Sequence, residues 1–96
     1  MAKSKSYNDS LLDALRDPAE AAAYLNAALE EGDQAALLLA LRNVIDAQSS
    51  MTRIAEETSL NRESLYKALS ENGNPRLKSL NAILRAVGLK LGVRVE

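Results

Sequence analysis

The sequence predicts an all-α fold of five helices, followed by a short C-terminal β-strand. Three observations carry this prediction. Apolar residues recur at three- and four-residue spacing through most of the chain, the period of a helix with one buried face. The hydrophobic content is 47% with only three aromatic residues, all Tyr, so Leu, Ala, Val and Ile must build the core, and Ala and Leu are strong helix formers. Finally, the last eight residues abandon the helical period for strict alternation. At 96 residues, one domain spanning 1–96 with a single core is expected.

Taken in order, residues 1–16 read as a partly disordered arm, polar over its first ten residues, in which Leu11, Leu12 and Leu15 could add a turn of helix or dock on the domain. The first clear helix covers about 18–31. Asp17 is its N-cap, Pro18 suits the first helical position, Glu20 completes a capping box, and Gly32 ends it. Asp33 caps a second helix over about 34–47, in which Leu37, Leu38, Leu41, Val44 and Ile45 form a wide apolar face. Gln48-Ser49-Ser50 interrupts the period, with Ser50 as the next N-cap. Two short helices follow within Met51–Ser70, and then a loop of turn residues, Glu71-Asn72-Gly73-Asn74-Pro75. The fifth helix runs from about Leu77 to Val87, with Leu77, Leu80, Ile83, Leu84 and Val87 inward, and Gly88 ends it. In the tail, Leu89, Leu91, Val93 and Val95 alternate with Lys90, Gly92, Arg94 and Glu96, the pattern of a half-buried strand. A lone strand leaves its backbone unpaired, so this one is expected to find its partner on a second copy or another protein.

The stretch Met51–Ser70, MTRIAEETSLNRESLYKALS, meets the demands of a helix-turn-helix. Two closely crossing helices need a small residue, and Ala55 supplies it. Ser59 occupies the turn, Leu60 plugs the core after it, and Asn61 can cap the second helix. Ile54, Leu65, Ala68 and Leu69 point inward, which leaves Arg62, Glu63, Ser64, Tyr66 and Lys67 as a free polar face. These residue types suit the DNA major groove. Arg62 could donate two hydrogen bonds to a guanine edge, and Glu63 could accept from cytosine. Ser64 could meet a base or phosphate, while Tyr66 and Lys67 suit a base methyl or the backbone. Asn72, Asn74, Arg76 and Lys78 follow and would track phosphates, with Met51, Thr52, Asn61 and Ser70 at the helix ends as further phosphate contacts.

Composition removes several other classes. There is no Cys and no His, so a disulfide scaffold, thiolate metal sites and imidazole chemistry lose their usual residues, and no cofactor or metal is expected. No paired carboxylate site or glycine-rich phosphate loop suggests an enzyme. No apolar run approaches a membrane span and the N-terminus lacks the apolar core of a signal peptide, so a cytoplasmic protein is expected. The net charge of −1 conceals an asymmetry: residues 1–50 carry four basic and eight acidic side chains, whereas residues 51–96 carry eight basic and five acidic. A basic half suits phosphate and an acidic half suits a different partner.

The segment from about Leu37 to Val87 resembles the lambda-repressor-like helix-turn-helix domain. The run A-E-E-T-S-L-N-R-E-S-L-Y-K-A-L-S, followed by N-G-N-P-R-L-K-S-L-N-A-I-L-R-A-V-G-L, is closer to one branch, the HigA-like "probable addiction module antidote" proteins, as is AAAYLNAALEEGDQAALLLALRNVI upstream. Met51 stands where the wider pattern commonly has Gln, and Ser59 replaces the turn Gly. The resemblance implies a lambda-repressor-like fold and an antitoxin of a type II toxin–antitoxin pair. Such a protein binds double-stranded operator DNA, a palindrome, as a homodimer, represses its own operon and neutralises a RelE/HigB-type toxin. Toxins of this kind are typically basic, which the net −4 of residues 1–50 would suit. Two alternatives stay open: a stand-alone prophage-type repressor, and a helical adaptor that binds protein but not DNA.

Overall fold

The computed structural model describes residues 7–96 and contains six helices and, among those residues, no β-strand. The helices are α1 (Tyr7–Ala14), α2 (Pro18–Glu31), α3 (Gln34–Gln48), α4 (Met51–Thr58), α5 (Arg62–Ala68) and α6 (Leu77–Ala86). The expected five-helix fold with a terminal strand is therefore corrected at both ends. At the front, Leu11 and Leu15 belong to a complete additional helix and the residue just after it. Leu11 packs on the core and Leu15 lies in it, and α1 rests against α3. The rest of the expected arm, residues 1–6, lies outside the described residues.

At the back, residues 89–96 have no regular structure. Their alternation supplies side chains of the right type, but a strand is made by a backbone ladder, and no segment among the described residues offers one. The pattern is also divided between two environments. Leu89 packs against the core and its N–H donates to the Leu84 carbonyl at 2.8 Å, whereas Val93 and Val95 are fully exposed. Gly88, with φ of 79°, turns the chain out of α6. The tail then passes beside α2, where Arg94 lies 3.7 Å from Glu30.

Local chemistry explains the boundaries. Asp17 and Asp33 accept hydrogen bonds at 3.0 Å from the N–H groups of Ala19 and Ala35, and Ser50 accepts at 3.2 Å from Arg53. Each satisfies one of the free donors that every helix start exposes. Gly32 ends α2 in the left-handed region and donates to the Leu29 carbonyl. The reversal brings α2 back along α3, and this hairpin forms one side of the core. Its apolar faces (Ala21 and Leu25 on α2; Leu38, Leu41, Val44 and Ile45 on α3) meet Ile54, Leu65, Leu69, Ile83 and Val87 from the later helices. No polar or charged side chain is buried among the described residues, so burial of apolar surface supplies the main stabilisation.

Candidate nucleic-acid interface

The short helices α4 and α5 pack against each other across a tight turn. Met51, Ile54 and Ala55 are the buried positions of α4, and the small Ala55 lets the partner helix approach. The turn is tight: Ser59 adopts φ 62° and ψ 21°, and the N–H of Leu60 donates to the Ala55 carbonyl at 3.1 Å. Thr58 turns its hydroxyl back to the Ile54 carbonyl at 2.6 Å, closing the end of α4. Leu60 packs on the core, and Asn61 caps α5 by accepting from the Ser64 N–H at 2.6 Å. Within and just after α5, only Leu65 and Leu69 are fully buried, one turn apart.

Burial of that single stripe brings the five anticipated base-reading residues out together. Arg62, Glu63, Ser64, Tyr66 and Lys67 are all exposed. Helical geometry sets Arg62 and Tyr66 one turn apart on one flank, Glu63 and Lys67 on the adjoining stripe, and Ser64 further round. The Arg62 guanidinium lies over the Tyr66 ring, 5.8 Å from its centroid.

The eight anticipated phosphate residues divide into two groups. Thr52, Asn72, Asn74, Arg76 and Lys78 are exposed. Arg76 stands at the N-cap of α6 without a side-chain capping bond, so the start of α6 carries two exposed cations, Arg76 and Lys78, and no side-chain cap. The other three are committed within the chain. Met51 is only 8% exposed and its side chain is part of the core. The Asn61 carbonyl group is occupied by its cap, and the Ser70 hydroxyl donates to the Lys67 carbonyl at 2.8 Å. Of the anticipated partner-binding residues, Leu89 is largely withdrawn into the fold, while Leu91, Val93 and Val95 remain at the surface. Leu91 also lines a groove with Leu25 and Leu29 of α2, Leu41 of α3 and Leu84 of α6.

Two residues not singled out in the sequence position this surface. Arg42 of α3 donates from Nη1 to the Leu69 carbonyl at the end of α5, and Gln34 donates from Nε2 to the Gly73 carbonyl at 2.8 Å. Together they tie α3 to the C-terminus of α5 and to the loop after it. The available signal was Arg42 itself, a cation set within the apolar face between Leu41 and Ile45. Acidic groups frame the same region: Glu57 pairs with Arg53 at 4.0 Å, and Glu56, Glu63 and Glu71 are exposed.

Among the described residues, no cluster of side chains could hold a metal ion, and no helix is long and apolar enough to cross a membrane. A family model described as "Probable addiction module antidote protein" matches residues 5–95. An uncharacterized protein of Haemophilus influenzae is 37% identical over 71 residues, covering 74% of this chain and 72% of that relative. No solved structure matches the chain.

Proposed function

The chain belongs to the probable addiction module antidote family, and from that premise we propose that it is the DNA-binding antitoxin of a type II toxin–antitoxin pair. An antidote of an addiction module is regulatory and non-catalytic and is paired with a toxin. In our reading it represses its own operon by binding a palindromic operator as a homodimer, and it neutralises a RelE/HigB-type toxin.

The exposed face of α5 carries the DNA assignment. A helix that buries Leu65 and presents Arg62, Glu63, Ser64, Tyr66 and Lys67 on the rest of its circumference has the form of a recognition helix. Arg76, Lys78 and the start of α6, which has no side-chain cap, suit phosphates flanking the groove, with Asn72, Asn74 and Thr52 alongside. From Met51, Asn61 and Ser70 only backbone or residual side-chain contacts are available. The acidic first half suits a basic toxin. The exposed apolar residues Leu91, Val93 and Val95 suit contact with a second copy or the toxin, without any requirement for strand pairing.

The decisive experiment is a titration of the duplex upstream of the gene at fixed, moderate salt, comparing the native chain with Arg62→Ala/Lys67→Ala. Binding by the native chain and a loss of at least tenfold in the variant, roughly the effect of one specific contact, is the expected result. Equal affinity of the two proteins would remove the assignment of α5. Co-purification with the product of the adjacent gene tests the toxin.

A second reading keeps some support from Glu56, Glu57, Glu63 and Glu71. These carboxylates lie on or beside the surface that would face phosphates, as they could in an adaptor that binds protein alone. A gel shift with the upstream promoter separates the readings, since an adaptor leaves the duplex unretarded.

A further inference from the structure

We infer that Gln34, the first residue of α3, is a positioning residue for DNA binding: it holds the loop after α5 so that Asn72 and Asn74 meet phosphates in a fixed relation to the recognition helix. The inference rests on the DNA-binding reading of α5 and adds a residue that acts on the DNA only through others.

Gln34 lies 39 residues upstream of the loop it touches, and its Nε2 donates to the Gly73 carbonyl at 2.8 Å. Gly73 is buried between two exposed asparagines, Asn72 and Asn74. Its N–H donates to the Ser70 carbonyl at 2.8 Å, which ties the residue back to the end of α5. A Cβ at this position would strike the Ala68 carbonyl, so the glycine lies directly against that helix. Both backbone polar groups of Gly73 are therefore fixed, one by the segment that ends α5 and one by α3. The carbonyl of a buried residue needs a partner, and Gln34 supplies it from another helix.

What flanks Gly73 gives this bond its consequence for DNA. The side-chain amides of Asn72 and Asn74 enter no hydrogen bond among the described residues, and each can donate to a phosphate oxygen. Each asparagine is one residue from Gly73, so a shift of Gly73 moves both. Pro75, with its restricted φ, then leads into Arg76 at the start of α6 and limits the loop on its other side. Ordering a loop on binding costs conformational freedom, so a loop held before DNA arrives keeps more of the free energy of its contacts. Arg42 has a different target. Its bond reaches Leu69 at the end of α5 and so orients the base-reading helix, whereas Gln34 orients the phosphate contacts beside it. Phosphate contacts carry no sequence information, so the contribution of Gln34 falls on all duplexes alike.

A double-mutant cycle with the full chain tests this, using the duplex upstream of the gene at fixed, moderate salt. Gln34→Met keeps the length of the side chain and removes the donor. With the chain fully folded by circular dichroism at the assay temperature, Gln34→Met should weaken binding roughly fivefold, the effect of about one net hydrogen bond. In an Asn72→Ala/Asn74→Ala background the same change should weaken binding less than about twofold, because the groups through which Gln34 acts are gone. A scrambled duplex of equal length should lose affinity by a similar factor to the upstream duplex. Undiminished binding by Gln34→Met would overturn the inference while leaving the DNA reading intact. An equal loss in both backgrounds would overturn it too, since Gln34 would then act outside the loop. So would a loss confined to the upstream duplex, which would make Gln34 part of base reading. If the native chain retards neither duplex, the DNA reading itself falls, and this inference with it.

Discussion

Two backbone positions beside the proposed interface have opposite needs. Gly73 is buried in the loop after α5, and a Cβ built on it would collide with the Ala68 carbonyl. The obstructing atoms are backbone and cannot rotate away. Gly73→Ala is therefore expected to destabilise the fold by about 3 kcal/mol, read as a lower urea midpoint at unchanged slope. Ser59 is the reverse case. It holds φ of 62° in the turn between α4 and α5, a conformation that costs an L-residue roughly 1 kcal/mol and glycine little. Ser59→Gly should raise stability by about 1 kcal/mol in the same assay, and a decrease would show that the Ser side chain contributes more than its backbone costs. Sequence alone revealed both residues only in part. Ser59 was recognisable as a departure at a turn position usually held by glycine. Gly73 looked like one of several turn residues, because its steric constraint comes from a carbonyl five positions earlier in the folded chain. Met51 also shows how a reading of surface contacts fails: its position at the start of α4 suggested phosphate, but its side chain is apolar and the adjacent core accommodates it.

Capping and period made four helix boundaries readable. Asp17, Asp33, Ser50 and Asn61 each cap with their side chains the helix they were expected to start. Helix α1 was harder to read. It buries no residue of its own, and the core residue Leu15 lies just beyond its end, so no fully buried stripe marks it as a helix of the core. The tail failed for a different physical reason. Alternation reports which side chains could share a face, but strand formation depends on a backbone partner that the pattern does not encode. Long-range bonds between elements were equally hidden. Arg42 links α3 to the end of α5, and Gln34 links it to the next loop, across 27 and 39 residues of chain. A hydrogen bond from a charged donor to a helix-end carbonyl also favours the helix electrostatically. Arg42→Met preserves the stem while removing the donors. The expected loss is about 1.5 kcal/mol in global stability, with faster amide exchange concentrated in α5 and residues 69–73. Uniform acceleration across all helices would mean that Arg42 stabilises the core generally and does not specifically hold α5.

Across the whole molecule, acidic and basic character separate along the chain. The first three helices and their connections carry most of the acidic side chains, and the segment from α4 onward carries most of the basic ones. The acidic excess lies on α1, α2 and the Asp17 and Asp33 caps, and the basic excess on α5, α6 and the tail, which suits the two partners proposed above, a basic protein and DNA. The tail, with Lys90, Arg94 and Glu96, ends the basic segment but contributes little to the core beyond Leu89. Val93 and Val95 make no contribution to the core, and the Arg94–Glu30 pair is mostly exposed, so it adds less than about 1 kcal/mol. Leu89 and Leu91, by contrast, lie against the groove walls. Removal of residues 92–96 should consequently leave thermal unfolding almost unchanged. If these exposed valines serve contact between chains, the same truncation should lower self-association in sedimentation equilibrium and weaken binding to a two-site duplex more than to a single half-site. Affinity for the single half-site, which needs only one α5, should hold. Equal self-association of the full and truncated chains would exclude the tail from the dimer and direct attention to the helices. An unfolded truncated chain would instead mean that the last five residues support the groove, a role that the full exposure of Val93 and Val95 argues against.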